Sequence, residues 1–176
     1  MTNNWCSPGK GIPLKQVPLT PDCCSGGGQD TSTESAPCPL CRKKGRHVES
    51  ITVRHLLRKE MEKKAGQEDY YLCMDEKCDI AYYNDKTGTA FRKADLTVPL
   101  WFKEDADPRY ACYCSKITQE DVVRAVREQK ITDMNAIRKY YDQGASSQCK
   151  IKNPAGRCCS PVFNEIIKKA KQFGEH

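Results

Sequence analysis

The stretch that decides the fold of this chain is residues 70–83, Tyr-Tyr-Leu-Cys-Met-Asp-Glu-Lys-Cys-Asp-Ile-Ala-Tyr-Tyr. In it, Cys73 and Cys78 lie between two apolar and aromatic segments that are typical of short β-strands. A second pair of cysteines lies upstream, in the segment Cys38-Pro-Leu-Cys41. Each pair can point two thiolates at one centre from a tight turn, as a tetrahedral zinc site requires. We therefore predict a zinc site formed by Cys38, Cys41, Cys73 and Cys78.

Other ligand sets for this site stay open. Asp79 follows Cys78 directly and offers an oxygen ligand in place of a thiolate, while His47 or His55 offers a nitrogen ligand. The two cysteine pairs could also form disulfides or remain free thiols. Because the surrounding segment is too short to bury much apolar area, a bound metal would contribute directly to the folding free energy.

A second group of cysteines has a different spacing. Cys112-Tyr-Cys114 is followed by Cys149 and then by the adjacent Cys158-Cys159. A C-x-C pair fits the usual zinc spacing poorly, whereas it is well suited to holding one iron of a cluster. Helix starts are predicted soon after Cys114 and Cys159, and helix N-termini favour a cluster that is anionic with its four thiolates. We therefore predict a [2Fe-2S] cluster, with a second zinc site as the alternative.

The hydrophobic pattern predicts an α+β protein: a small zinc-bound β-sheet with a helix, followed by a short helical domain that binds the [2Fe-2S] cluster. Strands are predicted at residues 69–73, 79–83 and 89–91. One amphipathic helix is predicted from about residue 52 to residue 64. Later in the chain, Thr118 and Thr132 are predicted N-caps, Ser160-Pro161 is a third helix start, and Gly144 ends the second of these helices.

These elements divide the chain into four segments. Residues 1–36 are rich in Pro, Gly, Ser and Thr and are predicted to be a flexible arm. Residues 37–102 are predicted to form the zinc-binding α+β domain, and residues 110–176 the helical [2Fe-2S] domain. The charged segment 103–109 is the predicted linker between them.

The composition favours metal sites over disulfides. Twelve cysteines occur in 176 residues that contain neither a signal-peptide pattern nor an apolar run long enough to cross a bilayer. We therefore expect a cytoplasmic protein without membrane insertion, whose reducing surroundings keep thiols free for metals. The net charge of +6 comes from interspersed acidic and basic residues, so we expect no nucleic-acid partner. Since no nucleophile, base and pocket can be assigned, we do not expect an enzyme.

Both cysteine groups resemble parts of the CopZ-type copper chaperones. The first group resembles the family's zinc domain, and the second its [2Fe-2S] domain, which is itself similar to bacterioferritin-associated ferredoxin. The match spans about residues 36–165. The segments that carry it are Cys38-Pro-Leu-Cys41, Thr52-Val53, Tyr70-Tyr71-Leu-Cys73, Cys78-Asp79, Cys112-Tyr-Cys114, Ile117-Thr118-x-x-Asp121, Cys149 and Asn153-Pro154-x-Gly156-x-Cys158-Cys159.

The resemblance implies a ligand set and a function. It favours Cys158 over Cys159 as fourth ligand of a cluster that Cys112, Cys114 and Cys149 also hold. It implies a redox-active metallochaperone-like module that reduces Cu(II) to Cu(I), with a copper-transporting ATPase or a copper-carrying domain as partner. The M-x-C-x-x-C loop of the family's copper-carrying domain does not occur in this sequence. An electron-transfer or redox-sensing iron-sulfur protein, and an interaction module with structural metals, are the alternatives.

The remaining cysteines lie in the predicted arm. Cys23 and Cys24 are adjacent, and neighbouring thiolates suit a soft ion such as Cu(I). They are therefore candidates for an additional soft-metal site. Together with Cys6, they could equally be incidental thiols.

Overall fold

The computed structural model describes residues 37–141 and 147–172, which lie in one compact unit spanning residues 31–176. The predicted arm and the predicted helix end at Gly144 lie outside the described residues. We call residues 37–102 the first half and residues 110–172 the second half. The mixture of helix and sheet that the sequence predicts is confirmed.

The first half is built on a four-stranded antiparallel sheet, whose strands are neighbours in chain order. The strands are β1 (Arg46–Val48), β2 (Tyr70–Leu72), β3 (Ile80–Tyr83) and β4 (Ala90–Arg92). The last three match the predicted strands to within one or two residues at each end. All four residues of β3 are buried, as expected of a strand that has a neighbour on each side.

The predicted long helix is two short helices, α1 (Ser50–Leu56) and α2 (Lys59–Glu62). Between them Leu57 is extended and forms an antiparallel bridge with Leu96. The backbone N–H of Arg58 donates to Asp95 O over 2.8 Å, next to a 3-10 turn at Lys93–Asp95. The prediction of one continuous helix was wrong because periodicity along the chain cannot foresee this pairing with a segment about 40 residues away.

The second half combines a small hairpin with helices. Its elements are β5 (Tyr110–Cys112), β6 (Ile117–Thr118), α3 (Gln119–Arg127), α4 (Met134–Tyr141), α5 (Cys149–Lys152) and α6 (Ser160–Gln172). The core lies between α3, α4 and α6, where Val122, Ile137 and Phe163 are fully buried. The hairpin was not predicted. None of the helices in residues 37–141 and 147–172 has the length and apolar character needed to span a bilayer.

One of the two predicted threonine caps is confirmed. Thr118 and Asp121 form a reciprocal capping box at the start of α3, with the Asp121 N–H donating to Thr118 Oγ1 over 3.1 Å. The prediction for Thr132 was wrong. At the start of α4, the carboxylate of Asp133 accepts from the N–H of Ala136 over 2.9 Å.

The segment 149–157 of the second half packs on the first half, and we call this contact the seam. Thr52 Oγ1 donates to the carbonyl of Lys150 over 2.6 Å, and the Tyr82 hydroxyl donates to the carbonyl of Pro154 over 2.7 Å. Both donors are fully buried, so leaving either unpaired would carry a desolvation cost. The seam therefore ties a loop of the second half to the sheet and helix of the first.

The close contact at the seam also requires a glycine at position 156. Gly156 has φ +65°, a conformation that residues with a Cβ adopt with strain. A Cβ atom at this position would lie 2.8 Å from Thr52 Oγ1. Ala155 beside it packs in the core of the first half. Only a residue without a side chain lets the two halves approach this closely.

Candidate metal centres

The first centre lies where two turns of the first half meet. Cys38 and Cys41 belong to a turn closed by a bridge between Pro37 and Lys44. Cys73 directly follows β2, and Cys78 lies two residues before β3. The sheet register therefore brings the second turn up against the first, as the flanking strand pattern indicates.

The four sulfurs of this centre have tetrahedral dimensions. Cys38 Sγ lies 3.9 Å from Cys78 Sγ, and Cys41 Sγ lies 3.5 Å from Cys73 Sγ. All four sulfurs lie within 4.8 Å of one another. A tetrahedron with Zn–S bonds of about 2.3 Å has an edge of about 3.8 Å. These residues therefore fit a Zn²⁺ ion without rearrangement of their backbone.

The environment of these sulfurs combines burial with hydrogen-bond donors. Burial raises the pKa of the Cys73 thiol, and a backbone N–H opposes that rise. At Cys41 burial also raises the pKa, but hydrogen bonds from a backbone N–H and the neighbouring cysteines outweigh it, and the pKa is lowered. The backbone donors are Lys43 for Cys41, Asp75 for Cys73 and Ile80 for Cys78. Such donors favour the thiolates that a metal requires.

The other side chains proposed as ligands point to different partners. Asp79 pairs with Arg92 at 3.3 Å. His47 pairs with Asp69 at 3.0 Å, and His55 contacts a carbonyl within its own helix. Within the described residues, the group that can hold a metal consists of the four cysteines alone.

Sequence reasoning missed Lys103, because it lies in the charged segment taken as a linker. Its side chain is 1% exposed. Its Nζ donates to the carbonyls of Asp75, Cys78 and Ile80 over 2.6, 2.8 and 3.1 Å. A lysine in a run of charged residues carries no sequence signal of burial.

The second cysteine group forms two pairs. Cys114 Sγ lies 3.8 Å from Cys149 Sγ, and Cys112 and Cys159 are close enough for each thiol to shift the pKa of the other. Cys159 is buried, whereas Cys158 is exposed and accepts a hydrogen bond from Ser160 Oγ over 3.1 Å. In the described part of the chain, this group does not bring three ligand atoms within 4.8 Å of one another.

The surroundings of the second group shift the pKa values of its thiols in opposite directions. The hydrogen bond from Cys159 lowers the pKa of Cys112 to about 5, against the effect of burial. Burial raises the pKa of Cys149 to about 12. The N–H of Gln148 donates to Cys114 Sγ over 3.3 Å. The Ser115 side chain also helps to lower the pKa of Cys112.

The candidate soft-metal ligands Cys23 and Cys24 lie outside the described residues, as does Cys6. Nothing in the described part of the chain bears on them.

The fold and the first centre define a small metal-binding protein with a four-cysteine centre on an antiparallel sheet. Residues 35–97 match the family model of the CopZ zinc binding domain. The chain is 31% identical over 122 residues to the copper chaperone CopZ of Archaeoglobus fulgidus, an alignment that covers 69% of this chain. The X-ray structure of the N-terminal domain of that CopZ superposes with a TM-score of 0.59 at 28% identity, covering 74% of this chain and 96% of the domain. This chain therefore contains a region of the same type as the N-terminal region of CopZ.

The similarity covers only part of the Archaeoglobus chaperone. The chain spans 57% of the length of the Archaeoglobus chaperone. The family model covers the first cysteine group and stops before the second.

Proposed function

We propose that this protein is a metallochaperone-like module that binds one structural Zn²⁺ and one [2Fe-2S] cluster. The observation that carries the proposal is the sorting of nine described cysteines into two groups of different geometry, with Cys158 left over. The zinc ligands are Cys38, Cys41, Cys73 and Cys78. The cluster ligands are Cys112, Cys114, Cys149 and Cys159.

The paired geometry of the second group supports a cluster over a second zinc ion. Each iron of a [2Fe-2S] cluster takes two thiolates, so the protein must offer two sulfur pairs with space between them. The pairs Cys114–Cys149 and Cys112–Cys159 meet that need. Cys112 and Cys114 would then hold different irons, whereas the C-x-C spacing predicts that they hold one iron together. A zinc ion would require all four sulfurs at tetrahedral edge distances, as in the first group.

Burial supports Cys159 in place of Cys158 as the fourth ligand. The sequence resemblance favoured Cys158, but this residue is exposed and its sulfur contacts the Ser160 hydroxyl. Cys159 is 6% exposed, and its thiol lowers the pKa of Cys112. Two adjacent cysteines in an irregular segment face different ways, so one faces the core and the other faces solvent.

The similarity to a copper chaperone supports copper as the cargo. When bound, the cluster would supply single electrons, which is what the reduction of Cu(II) to Cu(I) before delivery to a copper-transporting ATPase requires. The chain's own contribution is to hold four thiolates near backbone donors such as the Gln148 N–H. No enzymatic turnover is part of this proposal.

Metal analysis of the full-length protein, purified anaerobically, tests this function. We expect about one zinc, two irons and two acid-labile sulfides per chain, with visible absorption that dithionite bleaches. About two zincs without iron would exclude the cluster.

Electron transfer or redox sensing without copper is the second candidate function. One observation favours it: in residues 37–141 and 147–172, Cys158 is the only cysteine outside the two proposed ligand sets. Copper carriage would then depend on thiols elsewhere, of which Cys23 and Cys24 are the adjacent pair. Competition with a Cu(I) chelator separates the two functions. Tight binding that the double variant Cys23→Ser/Cys24→Ser loses supports copper carriage, whereas equally weak binding in both proteins supports electron transfer alone.

A further inference from the structure

Lys103 is the only buried side chain with a formal charge in the described residues 37–141 and 147–172, leaving aside the cysteines. A buried ammonium group is costly unless its N–H donors and its charge are both compensated. Both the three N–H donors of Lys103 and its positive charge therefore need partners.

The donors are fully satisfied. An ammonium group has three N–H donors, and the three acceptors are the carbonyls of Asp75, Cys78 and Ile80. The carbonyls of Asp75 and Cys78 belong to the turn that carries Cys78, and Ile80 is the first residue of β3, which follows this turn. The side chain of Lys103 therefore holds together the backbone of one of the two metal-binding turns.

The charge has no carboxylate partner. Among the described ion pairs none includes Lys103. The nearby carboxylate of Asp75 contacts Lys43, and that of Asp105 lies 2.6 Å from Lys93. Lys103 Nζ lies 5.3 Å from the centroid of the Phe102 ring, and its charge helps to lower the pKa of Asp105, but neither group forms an ion pair with it.

The first metal centre carries the missing negative charge. Four thiolates around one Zn²⁺ leave two net negative charges, which are buried with Cys38, Cys73 and Cys78. The Nζ of Lys103 donates to the backbone carbonyl of Cys78, which is itself one of the four ligands. The buried cation and the buried anionic centre thus share one turn, and each compensates the charge of the other.

We propose that Lys103 is the counter-charge of the zinc tetrathiolate and the residue that positions the Asp75–Ile80 turn for metal binding. This inference rests on the zinc site of the proposed function. It gives the segment 103–109 a part in the metal centre that its composition does not suggest.

Zinc affinity of the full-length chain, measured by competition with a chromophoric chelator, tests the inference. Lys103→Met keeps the length and apolar stem of the side chain and removes its charge. We expect the zinc affinity to fall by roughly 10- to 100-fold, which is the usual effect of losing a residue that hydrogen-bonds to a metal-ligating residue. The matched control is Lys77→Met, on the same turn, whose side chain is 79% exposed and lies 3.6 Å from Glu104. That variant should stay within about twofold of the unsubstituted protein.

Two further variants separate charge from shape. Lys103→Arg keeps the charge but alters the fit, and it should retain more zinc affinity than Lys103→Met. Cys41→His lowers the negative charge of the centre by one, so it should cost less affinity in the Lys103→Met background than alone. Equal costs in both backgrounds would show that Lys103 acts through shape, and the counter-charge proposal would be overturned.

The remaining outcomes are also decisive. Unchanged or higher zinc affinity in Lys103→Met overturns the inference, since a buried charge without an electrostatic role is readily replaced by an apolar side chain. If Lys103→Met folds only together with Cys41→His, charge balance is again the cause. If neither folds, the role is structural and the inference fails. Absence of zinc from the unsubstituted protein would instead contradict the proposed function itself.

Discussion

The two cysteine groups are built in different ways. The ligands of the first centre come from two turns that one antiparallel sheet brings together, entirely within the first half. Those of the second group come from a hairpin, from the start of α5 and from the residue before α6. Moreover, the segment that begins at Cys149 is fastened to the first half at the seam. The first centre is thus local, whereas the second depends on packing across the whole unit.

This difference predicts an asymmetry between the centres. Damage to the first half should reach the second cysteine group through the seam, because Thr52 and Tyr82 hold the loop between Cys149 and Cys159. Damage to the second group should leave the first centre intact, because its turns and sheet make their own contacts.

The largest effect is expected for Cys73→Ala. Structural zinc contributes about 10–16 kcal/mol of binding free energy in zinc-finger peptides, so losing a buried ligand should unfold the first half. Through the seam, visible absorption should disappear as well. Cys112→Ala should abolish only the visible absorption and keep zinc. Metal analysis and circular dichroism of both variants check this, and full absorption in zinc-free Cys73→Ala would show that the two centres are independent.

The adjacent cysteines give a sharp contrast inside the second group. Cys159→Ala should abolish the visible absorption, because it removes a buried sulfur next to Cys112. Cys158→Ala should leave the spectrum and the iron content unchanged, because this thiol is exposed. Absorption spectra and iron analysis of the two variants decide between the ligands. The opposite result would restore the assignment that the sequence resemblance favours.

Removal of the seam hydrogen bonds should have an intermediate effect. Tyr82→Phe leaves the buried carbonyl of Pro154 unpaired, and Thr52→Val removes the donor to the partly buried carbonyl of Lys150, so we expect costs of up to about 1–3 kcal/mol in the free energy of unfolding, with the larger cost for Tyr82→Phe. Both should also shorten the lifetime of the visible chromophore in the presence of an iron chelator. Ile51→Ala is the control on the same helix, because Ile51 is 40% exposed. Urea unfolding and chromophore decay provide the measurements. Loss of stability with an unchanged chromophore lifetime would mean that the seam does not position the second group.

The smallest effect is expected at the helix caps. Thr118→Ala removes a capping box and should lower the free energy of unfolding by about 1 kcal/mol. Thr132→Ala should be close to neutral, because Asp133 provides the cap of α4. Urea titrations of the two variants compare them directly. A larger loss at Thr132 than at Thr118 would contradict the observed caps.

The strands and caps show how far local patterns reach. Aromatic and apolar runs around Cys73 and Cys78 predicted β2 and β3 because alternation and burial are properties of neighbouring residues. The capping box at Thr118 was predictable for the same reason. The end of α1 at Leu56 was not predictable, because Leu57 leaves the helix to form a bridge with Leu96, which is far along the chain.

By itself, the sequence determined which residue types could hold metals and which short elements carry them, because spacing and periodicity act over a few residues. The tertiary structure alone decided three further features: that Cys159 is buried while Cys158 is exposed, that Lys103 lies beneath the first centre, and that Gly156 meets Thr52. Each of these depends on contacts between segments distant in the chain. Such contacts form only when the buried surfaces of both halves are packed together, and no local pattern records them.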